Sequence, residues 1–199
     1  FITVFKIVMN PKFEQSTTGT EKIVNPEEVK NLSQISPELI KTMNERKVRP
    51  TIKVILQDVN GRVSVYLSDK ADHQNKNTAN FLGGGIDEGE TPLAALKREC
   101  EEELLSGYES IVGVFSDRLP VVSYGEIDIS KENWDKKGVF LVSMRVNDLD
   151  ALKPKPGELR EMKVFDDSQK AIEMIDRSDT PDDRKEFYRK ALGNLNKVT

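Results

Sequence analysis

Among the 199 residues there is one cysteine, Cys100, and one histidine, His73. A lone cysteine excludes an internal disulfide framework and makes a cytoplasmic setting the expectation. No apolar run is long enough to span a membrane. The apolar opening FITVFKIVMN lacks the charged lead and small-residue cleavage site of a signal peptide, so residues 1–9 are expected to form a strand. Charge of one sign is also lacking. Lys and Arg number 30 against 34 Asp and Glu, a formal charge of −4, which does not mark a nucleic-acid binder. A nucleotide substrate stays open, because a bound metal ion inverts the local charge. Internal repeats and low-complexity segments are absent. The chain is 37% hydrophobic and 32% charged, a balance that reads as one soluble globular domain over residues 1–199.

Residues 1–48 are expected to be an N-terminal strand and helical extension, and 49–199 the core. Asn25-Pro26-Glu27-Glu28 combines a capping residue, a first-turn proline and acids, so helical pieces should run to about Arg46 with a break at Ser36-Pro37. Asn60-Gly61 between TIKVILQD and VSVYLSD predicts a β-hairpin. A polar loop should follow over 69–77. Strands are expected at 109–116, 119–124, 138–146 and 159–165, and helices at 91–105, 167–177 and 181–193. That order predicts an α+β fold with helices packed on a mixed sheet.

The chemistry concentrates in GGIDEGETPLAALKRECEEELLS, residues 84–106. Thr91-Pro92 starts a helix, and Leu93, Leu96, Cys100 and Leu104 form its apolar stripe. Glu99, Glu102 and Glu103 fall at i, i+3 and i+4 on another face. Like charges at that spacing repel by a few tenths of a kcal/mol per pair, roughly, and a hard divalent cation would remove the penalty. Gly83, Gly84 and Gly85 allow a close backbone approach, so a carbonyl there could join a metal shell. Glu90 and Arg98, eight residues apart, are expected to pair and fix the loop on the helix.

These residues resemble the Nudix box: G, five residues, E, seven residues, then R-E-U-x-E-E-x-G-U, with U bulky and apolar. Gly84, Glu90, Arg98, Glu99, Cys100, Glu102 and Glu103 match. Leu105 and Ser106 depart, standing where the pattern has glycine and an apolar residue. Gly107 follows two residues late, as if the helix ran on before its glycine stop.

The resemblance implies an α/β/α sandwich, a Mg²⁺ or Mn²⁺ requirement, and hydrolysis of a nucleoside diphosphate linked to another group, such as a nucleotide sugar or ADP-ribose. It implies that Glu99, Glu102 and Glu103 bind metal or activate water, and that the carbonyl of Gly83 or Gly84 is a further ligand. The general base then comes from beyond the box, with Glu161 first and Glu158 second. Lys70 and Arg118 are candidates for phosphate, and Phe81 or Trp134 for a base. Pro120 and Tyr124 occupy the region that separates family subgroups. His73 reads as surface and Cys100 as inert core. Two alternatives stand beside the main reading. One is a dinucleoside polyphosphate or RNA 5′-end pyrophosphohydrolase. The other is a non-catalytic domain that senses a nucleotide or binds a partner. Segment 25–46 either caps the substrate pocket or mediates a homodimer.

Overall fold

The computed structural model describes residues 25–68, 77–131 and 133–195. The expected strand at 1–9, Lys70 and His73 lie outside them.

The strands are β1 (Val48–Asp58), β2 (Val63–Ser68), β3 (Ala79–Asn80), β4 (Leu104–Ser106), β5 (Val121–Lys131), β6 (Trp134–Val146), β7 (Lys153–Pro154) and β8 (Leu159–Phe165). The helices are α1 (Pro37–Glu45), α2 (Pro92–Glu103), α3 (Tyr108–Ile111), α4 (Ser168–Arg177) and α5 (Asp182–Asn194). The main sheet runs β3-β2-β1-β6-β5, with β8 also paired to β2. β1 and β6 are parallel from Val48↔Lys136 to Asp58↔Val146, and the other pairs are antiparallel. This is the mixed sheet expected of an α+β fold.

Alternation along β1 fills both faces. Ile52, Val54 and Leu56 point into a core with Leu39 and Met43 of α1 and Leu96 and Cys100 of α2. Ile55 points the other way, with Ala171 and Ile175 of α4 and Tyr188 and Leu192 of α5. Helices therefore cover both faces, the expected α/β/α arrangement. The extension from Val29 to Met43 buries its apolar residues in the same core as the box helix. Among the described residues, no helix is long and apolar enough to cross a membrane.

The hairpin forms as expected, with Gly61 at φ 82°. Asp58 closes it, accepting from the amides of Asn60 and Arg62 at 2.9 Å each and from Arg62 Nε at 2.6 Å. Three expectations need correction. Residues 109–114 are helical, in α3 and a 3-10 turn at Val112–Val114, and Phe115 and Ser116 lie outside any strand. Their apolar side chains follow helical spacing: Ile111 and Phe115 are buried and Tyr108 packs on Phe115, while Val112 and Val114 face solvent. Second, α2 does not run on. It stops at Glu103, and Leu104–Ser106 pair with β7 before Gly107 turns the chain at φ 88°. The late glycine thus closes a short strand rather than a longer helix. Third, β5 and β6 extend well past 124 and begin before 138. Gly125 and Gly138 look like strand breaks in sequence, yet they are close-packing points. A Cβ would stand 2.8 Å from Phe187 at the first and 2.3 Å from Met43 at the second.

Gly107 gives a test of that turn. An added Cβ would lie 2.6 Å from the Ala151 carbonyl at a left-handed backbone. Gly107→Ala should lower stability to denaturant by about 1–3 kcal/mol. Gly113→Ala, with open space around it, should change it by less than about 0.5 kcal/mol.

Candidate active site

Helix α2 starts where the sequence says it should. Thr91 caps it, accepting from the Ala94 amide at 3.2 Å, with Pro92 in the first turn. Its buried stripe holds Leu96 and Cys100 against β1, and this sets the opposite flank toward the glycine loop. Burial pushes the Cys100 thiol up, so it stays protonated and inert, as expected.

The glycine loop lies along β1. Its Gly84 carbonyl accepts from the Ile52 amide at 2.9 Å, and Lys53 Nζ donates to the Phe81 and Gly83 carbonyls at 3.0 and 2.8 Å. Glu103, 6% exposed, accepts from the Gly83 amide at 2.8 Å. The Glu99 carboxylate rests on Gly84, where a Cβ would stand 2.3 Å from it. Any side chain at 84 would have to displace that carboxylate, which is a physical reason for glycine at this position.

Arg98 joins loop to helix. Its Nε and Nη2 hold Glu90 at 3.0 and 2.9 Å, and Nη2 also donates to the Gly85 carbonyl at 3.0 Å. Nη1 holds Glu99 at 2.8 Å and stands 3.6 Å from Glu102. The Arg98 guanidinium is the main cause holding the Glu90 carboxyl below the usual carboxylate range. The expected Glu90–Arg98 pair is present, and the same guanidinium also engages Glu99 and Glu102, two of the three acids at i, i+3 and i+4.

A divalent cation fits this set in donor chemistry. Glu90, Glu99, Glu102 and Glu103, with Asp87 3.6 Å from Arg98, bring five carboxylates against the three cations Arg98, Lys53 and Arg49, and the carboxylate donors are all oxygen, the preference of Mg²⁺ and Mn²⁺. The Gly84 carbonyl keeps a second lone pair beyond its ladder bond. Among the described residues, no three acidic, histidine or cysteine side chains already converge on one point. Glu99 and Glu102 are turned to Arg98, and Glu103 to the Gly83 amide.

The remaining candidates scatter. Glu161 pairs with Leu67 across the sheet and lies 3.9 Å from Lys163. Met162 and Val164 pack on the core beneath α2, so Glu161 alternates to the opposite face and does not meet the box acids. Glu158 lies in a turn attached to the end of α2. The Lys155 amide donates to the Glu103 carbonyl at 2.7 Å, and the Glu158 amide to the Lys155 carbonyl at 3.2 Å. Phe81 is fully buried, edge-on to Tyr188 at 5.0 Å, so it is core and cannot stack on a base. Tyr124 sits on β5 against Phe140 and donates to Glu126 at 3.1 Å; burial and the Glu126 charge raise its pKa. Arg118 is exposed in the turn before Pro120, which bridges to Asn31, and Trp134 is half-buried at the start of β6. Neither Tyr124 nor Trp134 lies on a strand next to the glycine loop.

Arg49 was missed. Its guanidinium lies on Gly85, where a Cβ would stand 2.4 Å from Nη2. It has no hydrogen-bond or ion-pair partner among the described residues. The signal available in sequence was a basic residue at the start of the strand that the glycine loop follows.

A family model described as the NUDIX domain matches residues 47–190. RNA pyrophosphohydrolase from Helicobacter pylori (strain G27) is 39% identical over 64 residues, covering 31% of this chain and 40% of that protein. The chain thus matches about 40% of the length of the curated relatives. Solved structures share the fold. The MutT protein from Methanosarcina mazei Go1 has a TM-score of 0.52 at 13% identity, over 72% of this chain and 92% of that one. The E. coli dihydroneopterin triphosphate pyrophosphohydrolase has a TM-score of 0.53 at 15% identity, over 74% and 96%.

Two substitutions test the geometry. Glu90→Gln should cost about 1–3 kcal/mol at neutral pH. Because the folded Glu90 carboxyl is held low, that stabilisation is complete above the ordinary carboxylate range. It disappears as pH falls through the lowered value, so wild type and variant should converge in acid denaturation. Gly84→Ala should leave the circular dichroism spectrum intact while lowering Mn²⁺ affinity at least about tenfold, since the displaced carboxylate is a ligand candidate.

Proposed function

The chain belongs to the NUDIX family, and from that premise we propose that it hydrolyses the pyrophosphate bond of a nucleoside diphosphate linked to another moiety, of nucleotide-sugar or ADP-ribose type. The observation that carries this reading is the seating of Glu99 and Glu103 on consecutive glycines of the loop, with Glu102 beside them.

In this reading Glu99, Glu102, Glu103 and the Gly84 carbonyl hold Mg²⁺ or Mn²⁺. When bound, the metal neutralises charge developing on phosphate oxygens and lowers the pKa of water. Arg98, through its two bonds to Glu90, would keep the loop fixed beside Glu99 and Glu102. Gly83 keeps Glu103 oriented through its amide. Arg49, whose guanidinium has no hydrogen-bond or ion-pair partner among the described residues, presents it to the substrate's phosphate, a match to its fork of donors. Glu158 takes the proton of the attacking water.

A second reading, removal of pyrophosphate from an RNA 5′ end, is favoured by the name of the Helicobacter pylori relative. The site lies within a chain of net charge −4, which argues against a long RNA track.

The test is turnover with Mg²⁺ or Mn²⁺ of UDP-glucose, ADP-ribose, diadenosine tetraphosphate and 5′-triphosphorylated RNA, read by chromatography. Glu102→Gln should lower kcat by on the order of 10²–10⁴-fold, and Glu158→Gln should lower it more than Glu161→Gln. Arg49→Ala should raise KM about tenfold or more. Binding of a nucleotide without turnover of any substrate would favour the sensing domain. Equal rates for wild type and Glu102→Gln would refute the site assignment.

A further inference from the structure

The glycine loop lies antiparallel to β1, bridged at Thr51↔Gly85 and Val54↔Leu82. In that arrangement successive residues turn their peptide groups to alternate edges. The Leu82 and Gly84 carbonyls point to β1, accepting from the Val54 and Ile52 amides at 2.8 and 2.9 Å. The Phe81 and Gly83 carbonyls therefore fall on the outer edge, away from that ladder. Lys53 Nζ serves both, at 3.0 and 2.8 Å. The Gly83 amide lies on the same outer edge and donates to Glu103 Oε2 at 2.8 Å. One residue thus carries an ammonium on its carbonyl and a carboxylate on its amide.

Gly83 cannot anchor itself. Its φ is 119°, and a Cβ would stand 2.3 Å from the Ile52 carbonyl oxygen, so the position admits only glycine. Glycine has no side chain to pack, and its backbone rotates at little steric cost. Its orientation then depends on the bonds along its outer edge, and both are charge-assisted, the stronger kind. Lys53 is partly buried on β1 between the fully buried Ile52 and Val54, a place where an ammonium is costly unless it is bonded. Rotation of Gly83 would carry its amide away from Glu103. We infer that Lys53 is a positioning residue for Glu103, acting through Gly83. The ammonium fixes the glycine, and the glycine amide fixes the carboxylate. The action is selective, because Glu99 rests on Gly84 and Glu102 stands by Arg98. Its consequence for a bound cation rests on the reading above, in which Glu103 is a ligand; the placement of Glu103 does not.

Two measurements test this. The first is hydrogen exchange in the full chain free of metal, read by nuclear magnetic resonance. Lys53→Met keeps the aliphatic stem and removes both donations. It should speed exchange of the Gly83 amide at least about tenfold relative to the Ile52 and Val54 amides on the other edge. The second is a cycle of Mn²⁺ affinities. Lys53→Met should weaken binding about tenfold in wild type and in Glu102→Gln, and less than about twofold in Glu103→Gln, where the residue it acts on is gone. Lys53→Arg, which keeps charged donors, should stay within about threefold of wild type. Lys53→Gln carries both measurements if Lys53→Met does not fold, with smaller losses in the same pattern. Unchanged relative exchange at Gly83, or equal Mn²⁺ losses in the Glu102→Gln and Glu103→Gln chains, would overturn the proposal. Faster exchange at Gly83 in a protein that binds no Mn²⁺ would support the Lys53–Glu103 link and refute the metal reading instead.

Discussion

The site is organised around one guanidinium. Arg98 binds Glu90 through two nitrogens, reaches the Gly85 carbonyl, and holds Glu99 with its remaining nitrogen. Without it, the carboxylates gathered on the loop and helix would repel one another, and the loop would keep only the Gly83–Glu103 hydrogen bond to α2. Its contacts are unequal. Glu90 and Glu99 are held at 2.9 and 2.8 Å and are each 17% exposed, whereas Glu102 stands at 3.6 Å and is 58% exposed, a weak and solvent-screened pair.

The glycine loop matters for the same reason of space. Gly84 leaves room for Glu99 from the helix side, and Gly85 leaves room for Arg49 from the strand side. Consecutive residues in extended backbone point to opposite faces, so the two glycines admit an anion on one face and a cation on the other. A loop of ordinary residues would exclude both. Lys53, clamped on the Phe81 and Gly83 carbonyls, holds the strand and loop in the register that makes this possible.

Much of this was legible in the sequence because it is local. The stripe Leu93-Leu96-Cys100, the Thr91-Pro92 start and the Glu90–Arg98 spacing each depend on helical geometry over a few residues, and each appears as read, whereas Leu104 is buried from β4. What was not legible depends on distant partners. Gly125 and Gly138 look like breaks until Phe187 and Met43 are seen to lie on them. Residues 109–116 look like a strand by apolar content, whereas burial of Ile111 and Phe115 with exposure of Val112 fits a helical turn. Phe81 was misjudged because its packing against Tyr188 of α5 depends on a distant partner, and the face of the sheet that Glu161 takes is fixed only by its pairing to β2. Arg49 went unread because its role depends on what Gly85 lacks.

The central proposal is that Glu99, Glu102 and Glu103 hold a hard divalent cation on the loop braced by Arg98. Its most direct measurement is Mn²⁺ titration followed by electron paramagnetic resonance, comparing wild type with Glu99→Gln and with Glu101→Gln, an exposed neighbour outside the i, i+3, i+4 set. The account predicts saturable binding by wild type and Glu101→Gln and at least about tenfold weaker binding by Glu99→Gln. Equal affinity in all three chains would contradict it.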